Sequence, residues 1–169
     1  MKTLIVFASK HGTTKDCAKR LERAINGEVS LIDIKKDEIC SINEYDNVIL
    51  GGAIYGGMVS RKLKKFISDN KEILLKKNLG IYICCMSDKE KINSQFEQNF
   101  SKDILDKAFI KSSFGGEFHF LRMNFFEKFI IKQIYKNDKS QKIDGKKDIK
   151  KLDLQAIKNF AKCINDFSK

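Results

Sequence analysis

Residues 4–14 read Leu4-Ile5-Val6-Phe7-Ala8-Ser9-Lys10-His11-Gly12-Thr13-Thr14, an apolar run that ends abruptly in hydroxyl side chains and one glycine. Such a run predicts a buried strand over residues 4–8, then a tight loop and the start of a helix. The unsatisfied N–H groups at a helix start and the positive end of the helix dipole together favour an anion. We therefore expect residues 9–14 to form an anion-binding loop.

The residue types within this loop narrow the class of anion. Ser9, Thr13 and Thr14 offer hydroxyl donors, and Gly12 allows the backbone to close around a ligand. The loop lacks the two glycines and the Lys-Ser/Thr pair of a P-loop, and it lacks the three spaced glycines of a dinucleotide-binding turn. A hydroxyl-rich loop without a catalytic lysine favours a static terminal phosphate. An ordinary strand-to-helix turn with a Ser/Thr cap is the alternative.

Strand and helix patterns alternate along the rest of the chain, which predicts a parallel sheet covered by helices on both faces. Further strands are predicted at residues 29–34, 47–51 and 79–86, with a fifth strand inside residues 108–120 and an interruption at Gly115 and Gly116. Helices are predicted at residues 15–26, 62–75, 90–107 and 152–167. Right-handed crossovers between the strands then predict the order 2-1-3-4-5.

Two more loops are expected at the same sheet edge as the anion-binding loop. In such a sheet a ligand binds beyond the carboxyl ends of the strands, where strands one and three lie side by side. Tyr55 is the only aromatic residue in the glycine-rich loop after strand three, so we expect its ring against a flat ligand. The predicted ligand contacts are Ser9, Lys10, His11, Gly12, Thr13, Thr14, Gly52, Ala53, Ile54, Tyr55, Gly56, Gly57, Met86, Ser87 and Asp88.

The motif at residues 9–14 resembles the Ser/Thr-x-x-Gly-x-Thr phosphate loop of flavodoxin-type FMN domains. The resemblance covers almost the whole chain and is strongest toward the branch that contains the menaquinone-dependent protoporphyrinogen oxidases. It implies a flavodoxin-like, three-layer, doubly wound α/β fold, FMN as the cofactor, and an oxidoreductase that passes electrons from an organic donor to a quinone or another acceptor. The donor that this branch implies is protoporphyrinogen IX, a tetrapyrrole with two propionates. A non-catalytic electron carrier between protein partners is the alternative.

An insert and a polar linker at residues 118–151 distinguish the chain from a minimal flavodoxin. One helical stripe there is formed by Met123, Phe126, Ile130 and Ile134. Phe125 and Phe129 fall instead among Arg122 and several lysines, which are candidates to bind the propionates. The insert is predicted either to pack on its own domain or to meet anionic lipid at a membrane surface. No recognition motif accompanies it, so a nucleic-acid partner is not expected.

The charge of the chain also bears on function. The formal net charge is +11, and residues 118–169 hold 13 basic and 6 acidic side chains. Carrier flavodoxins are usually acidic, because they dock onto basic patches of their redox partners. The basic charge therefore favours the enzyme over the carrier.

The length and the cysteine content of the chain limit its domain number, its metal and disulfide sites and its location. The 169 residues are expected to form one domain, and no signal peptide or membrane span of about 20 residues is evident. The five cysteines are odd in number and show no Cys-x-x-Cys spacing, which argues against a disulfide framework and a zinc site. Free cysteines favour a cytoplasmic location. Peripheral contact with the inner face of the cell membrane is left open. With two histidines, no metal centre is expected. Cys84 and Cys85 are predicted to be buried, inert thiols, because successive strand residues point to opposite faces.

Overall fold

A five-stranded parallel sheet forms the centre of the computed structural model, which describes residues 1–37, 41–86, 89–118, 125, 128–129 and 149–167. Its strands are β1 (Lys2–Ala8), β2 (Glu28–Asp33), β3 (Asn47–Ala53), β4 (Asn78–Cys84) and β5 (Ala108–Ser113). Their spatial order is β2-β1-β3-β4-β5, which confirms the predicted order. The three central strands are buried along nearly their whole length, as their continuous apolar sequence requires.

Helices cover both faces of this sheet. One face packs against α1 (Thr13–Ala24) and the last helix, α6 (Leu154–Phe167). The other face packs against α2 (Arg61–Asp69), α3 (Lys71–Leu74), α4 (Lys89–Asn99) and α5 (Lys102–Lys107). The apolar face predicted for the first helix is confirmed, because Cys17, Ala18, Leu21 and Ile25 are all buried. The sheet and its helices therefore form the expected three layers.

Two predicted helices are each divided in two. The helix predicted at residues 62–75 ends at Asn70, whose side-chain amide donates a hydrogen bond of 2.9 Å to the Phe66 carbonyl. The same carbonyl also accepts the backbone N–H of Asn70 at 3.1 Å, and at φ −114° the backbone of Asn70 leaves the helical region, so α3 begins only after it. The helix predicted at residues 90–107 breaks at Ser101, whose backbone is extended at φ −69° and ψ 152°.

The first and last helices also begin at other residues than predicted. Helix α1 starts at Thr13, two residues before the predicted start. Helix α6 starts at Leu154, and the side chain of Leu154, which was expected to face inward, is 48% exposed. Leu154 fits the helix period but is the first residue of the helix, and burial begins one turn later at Ile157.

A second, two-stranded antiparallel sheet was not predicted. It pairs β6 (Gly115–Phe118) with β7 (Ile149–Leu152), so residue 152 lies in a strand and not in the last helix. Strand β5 ends at Ser113, and Gly115, at φ +68°, turns the chain out of the main sheet. Strand β4 likewise ends at Cys84, two residues earlier than predicted.

Most of the predicted insert lies outside the described residues, including the stripe formed by Met123, Phe126, Ile130 and Ile134. Of the described residues, Phe125 is 87% exposed and Phe129 is 52% exposed, and both belong to helical turns. Their role at a membrane stays a prediction. No helix in the described part of the chain is long and apolar enough to cross a membrane.

Candidate cofactor site

The carboxyl ends of β1, β3 and β4 lie level with one another at one edge of the sheet. Ala8 pairs with Gly52 across β1 and β3, and Ala53 pairs with Cys84 across β3 and β4. The backbone N–H of Ile54 donates a hydrogen bond of 2.9 Å to the Cys84 carbonyl, which ties the glycine-rich loop to the end of β4. The loops after these three strands therefore meet at the predicted place.

The anion-binding loop contacts the glycine-rich loop directly. The rings of His11 and Tyr55 meet edge to face, with their centroids 5.7 Å apart. The Lys10 ammonium lies 5.9 Å from the centroid of the same tyrosine ring. The structure thus brings together the predicted contacts of residues 9–14 and 52–57, and Met86 follows β4 at the same edge. Ser87 and Asp88 lie outside the described residues.

The anion-binding loop ends at a helix start that carries no side-chain cap. Gly12 occupies the N-cap position of α1 at φ +111°, a conformation that strongly favours glycine. Its N–H donates to the Ser9 hydroxyl at 3.2 Å, which closes the loop. Because no side chain caps this helix by a hydrogen bond, a phosphate can accept hydrogen bonds from the first backbone amides of α1. This arrangement fits a terminal phosphate.

The three hydroxyl residues of the loop differ in their surroundings. Ser9 and Thr13 are buried to a similar extent, with 8% and 7% of their surface exposed. Thr14 is only 1% exposed, and its hydroxyl lies close enough to the Cys84 thiol to lower the pKa of that thiol. We therefore expect Ser9 and Thr13 to be the hydroxyl donors nearest to a phosphate. Thr14 then contributes mainly through its place in the first turn of α1.

Buried groups beneath the loop hold it in place. The Tyr82 hydroxyl donates a hydrogen bond of 3.1 Å to the Thr14 carbonyl, and the Tyr82 ring stacks on Phe114 at a centroid distance of 4.7 Å. Burial raises the pKa of Tyr82 well above its ordinary value, so the phenol remains a donor. A hydrogen bond with Cys17, together with burial, raises the pKa of Cys84, which therefore stays a thiol. The predicted burial of Cys84 and Cys85 is confirmed.

The glycine-rich loop is a tight hairpin. Tyr55 and Met58 exchange two backbone hydrogen bonds, of 3.0 and 3.1 Å, and the two residues between them, Gly56 and Gly57, have φ values of +56° and +79°. Positive φ at both central positions defines a type I′ turn, which glycine adopts without strain. A Cβ added to either glycine would meet no atom within 4 Å, so open space adjoins this turn. A flat ring system can therefore approach the hairpin closely.

Asn99 at the end of α4, which was not among the residues predicted for the site, holds this hairpin. Its amide nitrogen donates to the carbonyls of Gly57, at 2.8 Å, and Gln95, at 2.9 Å. Its amide oxygen accepts the N–H of Val59 at 2.8 Å, and the side chain is buried. Asn99 lies more than 40 residues from the hairpin in sequence, so no local pattern could indicate the contact.

We predict that Asn99→Ala weakens FMN binding about tenfold, since a buried hydrogen-bonding group left without its partner costs about 1–3 kcal/mol. The variant should also shift the midpoint potential of bound FMN, measured by spectroelectrochemistry, because the hairpin that adjoins the ring is released. Asn47→Ala is the matched control. Asn47 is equally buried and bonds to Thr3, but it begins β3 at the opposite edge of the sheet. Equal changes in potential for both variants would contradict the positioning role of Asn99.

Comparisons with known proteins identify the family of this chain. Residues 4–144 match the family model described as a flavodoxin domain. The chain belongs to the flavodoxin-domain family. FMN is the cofactor of this family, so the expected cofactor is confirmed, and the uncapped start of α1 beside Tyr55 suits its phosphate and its ring. The individual contacts in this flavodoxin domain stay predictions.

Two kinds of relative accompany the family match. The protoporphyrinogen IX dehydrogenase [quinone] of Escherichia coli K12 is 22% identical over 172 aligned positions, which cover 97% of this chain and 94% of that protein. The Streptococcus pneumoniae TIGR4 flavodoxin is 14% identical and superposes with a TM-score of 0.58 over 99% of both chains. Flavodoxin 1 of Bacillus cereus is 22% identical, with a TM-score of 0.53 over 68% of this chain and 84% of that one. The structural matches confirm the fold of this flavodoxin domain.

Proposed function

We propose that this flavodoxin domain is an FMN-dependent oxidoreductase that passes electrons from an organic donor to a quinone or another acceptor, with protoporphyrinogen IX as the donor. The observation that carries the proposal is the match to the Escherichia coli protoporphyrinogen IX dehydrogenase [quinone], which extends over 97% of this chain. The basic charge of the chain, +11, supports the proposal because flavodoxins that act as carriers are usually acidic.

Each part of the site has a distinct task in this proposal. When bound, FMN supplies the redox chemistry. Ser9, Thr13 and the first amides of α1 hold the phosphate, which fixes the cofactor at the end of β1. Tyr55 covers one face of the ring system, and the hairpin glycines bring the backbone close to the ring edge. The chain has no tryptophan, so the second ring face lacks the indole that many flavodoxins place there and is left for the donor.

The proposal is tested by an anaerobic assay of the purified, FMN-loaded protein. Protoporphyrinogen IX mixed with the protein should bleach the visible absorbance of the oxidised flavin. A menaquinone analogue added afterwards should restore that absorbance. Protoporphyrin fluorescence measures the product in the same sample. Flavin that stays oxidised in the presence of protoporphyrinogen would rule out this donor.

A non-catalytic electron carrier is the second candidate function. It is favoured by the superposition on the Streptococcus pneumoniae flavodoxin over 99% of both chains. A carrier should exchange electrons with a reduced protein donor, such as a flavoprotein reductase, and should leave protoporphyrinogen untouched. The two functions thus give opposite results in the anaerobic assay.

Tyr55 provides a prediction that holds for both functions. Its side chain is 41% exposed beside the open space of the hairpin, so a flavin ring can stack on it. We expect Tyr55→Leu to increase the fluorescence of bound FMN several-fold, because a tyrosine in contact with the ring quenches it, and to weaken FMN binding. Fluorescence titration with FMN measures both effects. Tyr45→Leu, at a buried tyrosine outside the site, serves as the control. Unchanged emission from the Tyr55 variant would place the flavin ring elsewhere.

A further inference from the structure

Strand β6 of the small sheet lies against the end of β4, where the third loop of the cofactor site begins. Gly116 in β6 is buried. A Cβ added to it would lie 2.9 Å from Cγ of Met86, 3.1 Å from the carbonyl carbon of Cys85 and 3.2 Å from the Met86 sulfur. Any side chain at this position would have to displace Met86. Glycine therefore allows β6 to approach the end of β4 this closely.

Backbone contacts hold β6 in this place from its other side. The Lys151 carbonyl in β7 occupies the space that a Cβ of Gly115 would fill. The N–H of Phe114 donates a hydrogen bond of 2.9 Å to the Ile83 carbonyl, and the Phe114 carbonyl accepts the N–H of Asp153 at 2.9 Å. These bonds tie the start of β6 both to β4 and to the start of α6. Strand β6 therefore has little room to withdraw from β4.

The end of β4 is in turn bonded to the glycine-rich loop. The Cys84 carbonyl accepts the N–H of Ile54, and Cys85 is the next residue after that carbonyl. Met86 follows it, is half-buried and is one of the predicted FMN contacts. A displacement imposed at Gly116 thus acts directly on the third loop of the site, and it acts one residue away from the bond that holds the glycine-rich loop.

We propose that Gly116 is a positioning residue of the cofactor site. By admitting β6 against Met86, it sets how closely the loop after β4 approaches the flavin. Protein groups near a flavin tune its redox properties when they interact differently with its oxidised and reduced forms. The inference rests on the proposed function only in that the loop after β4 lines the flavin, and it needs no particular electron donor. From the sequence, Gly115 and Gly116 were expected only to interrupt the fifth strand.

The test compares how tightly the protein binds the two redox forms of FMN. Titration of the apoprotein gives the Kd for oxidised FMN, and the midpoint potential of bound FMN, from spectroelectrochemistry, then gives the Kd for reduced FMN. We expect Gly116→Ala to change the ratio of these two Kd values about tenfold, which corresponds to about 30 mV for a two-electron couple. A substitution that only destabilised the domain would weaken the binding of both forms alike and leave the ratio unchanged.

Gly80→Ala is the matched control. Gly80 lies earlier in the same strand, β4, and a Cβ added to it would lie 3.1 Å from Cζ of Phe160. The crowding is similar, but it presses on a buried ring of α6 and not on the third loop. Gly80→Ala should therefore lower the midpoint temperature of thermal unfolding and leave the ratio of the two Kd values as in the parent.

Met86→Ala tests the contact itself. It removes Cγ and the sulfur, two of the three atoms that the added Cβ of Gly116→Ala would meet. In the Met86→Ala background, Gly116→Ala should therefore change the ratio much less than it does in the parent. This pair also decides the matter if Gly116→Ala alone binds no FMN, because the double variant should then recover binding.

Three outcomes would overturn the positioning role of Gly116. They are an unchanged ratio in Gly116→Ala, equal changes in Gly116→Ala and Gly80→Ala, and equal effects of Gly116→Ala with and without the Met86 side chain. None of these measurements uses protoporphyrinogen. The proposed donor can therefore fail in the anaerobic assay while the positioning role stands, and the positioning role can fail while the donor is oxidised.

Discussion

Replacing Ser9 and Thr13 together by alanine should weaken FMN binding about 100-fold or more. Both side chains belong to the loop that ends at the uncapped start of α1. Each hydrogen bond to a charged group is worth about 1.5–3 kcal/mol, and every 1.4 kcal/mol changes the Kd about tenfold. Ser9 also accepts the N–H of Gly12, so its removal loosens the loop itself. Titration of the apoprotein followed by flavin fluorescence measures the effect.

Riboflavin distinguishes the phosphate from the rest of the cofactor. It lacks the phosphate, so its Kd should differ little between the parent and the double variant. Thr3→Val is a matched protein control, because Thr3 is also a buried threonine at an end of β1 but lies at the opposite edge, where it accepts a hydrogen bond from Asn47. A double variant that binds FMN as tightly as the parent would show that residues 9–14 are not the phosphate loop.

Gly51→Ala should be the most destabilising single substitution near the site. A Cβ at Gly51 would lie 2.6 Å from Cε1 of Tyr82 and would overlap Cζ and the hydroxyl oxygen of the same side chain. The ring cannot withdraw, because Tyr82 is fully buried, stacks on Phe114 and meets Phe160 edge to face. Overpacking at such a position costs about 3 kcal/mol, which corresponds to a fall in Tm of about 6–12 °C for a chain of this size. Thermal unfolding followed by circular dichroism measures it.

The clash between an added Cβ at Gly51 and Tyr82 should lower FMN affinity as well as the stability of the protein. The Tyr82 hydroxyl holds the Thr14 carbonyl, so displacing this ring should also disturb the phosphate loop and weaken FMN binding. In a Tyr82→Leu background the added methyl group of Gly51→Ala should cost much less, since the atoms that it would overlap are absent. Gly56→Ala is a useful contrast. Its Cβ would meet nothing within 4 Å, so only the positive φ of +56° opposes it, at a cost of about 1–2 kcal/mol. Equal costs for Gly51→Ala in both backgrounds would contradict the steric explanation.

The choice between enzyme and carrier depends on the surroundings of the flavin ring and not on the fold. The same five-stranded sheet superposes on flavodoxins from Streptococcus pneumoniae and Bacillus cereus. Beside the Tyr55 hairpin, the Lys10 ammonium lies 5.9 Å from the tyrosine ring centroid and the Lys64 ammonium lies 4.0 Å from the Met58 sulfur. Lysine side chains at this place disfavour docking onto the basic patches that acidic carriers use.

The elements that the sequence predicted correctly are those whose signal is local. The apolar run at residues 4–8 and the loop at residues 9–14 are adjacent in the chain, so strand, turn and helix start are visible together. The strand order followed because parallel strands joined by helices cross over with one hand. The helix divisions at Asn70 and Ser101 were missed, because in each case one residue with a non-helical backbone interrupts a pattern that the apolar spacing still fits.

By itself, the sequence determined the alternation of strands and helices, the loop at residues 9–14 before the first helix and the glycine-rich loop after strand three, because each depends on residues that are neighbours in the chain. Only the tertiary structure decided that Asn99 holds the hairpin, that Tyr82 supports the first turn of α1, and that the Lys62 ammonium reaches the Lys35 carbonyl. It also decided that residues 115–118 leave the main sheet to pair with residues 149–152. These contacts join positions separated by 27 to 68 residues. Tertiary packing decides which distant side chains meet, and a local sequence pattern contains no information about it.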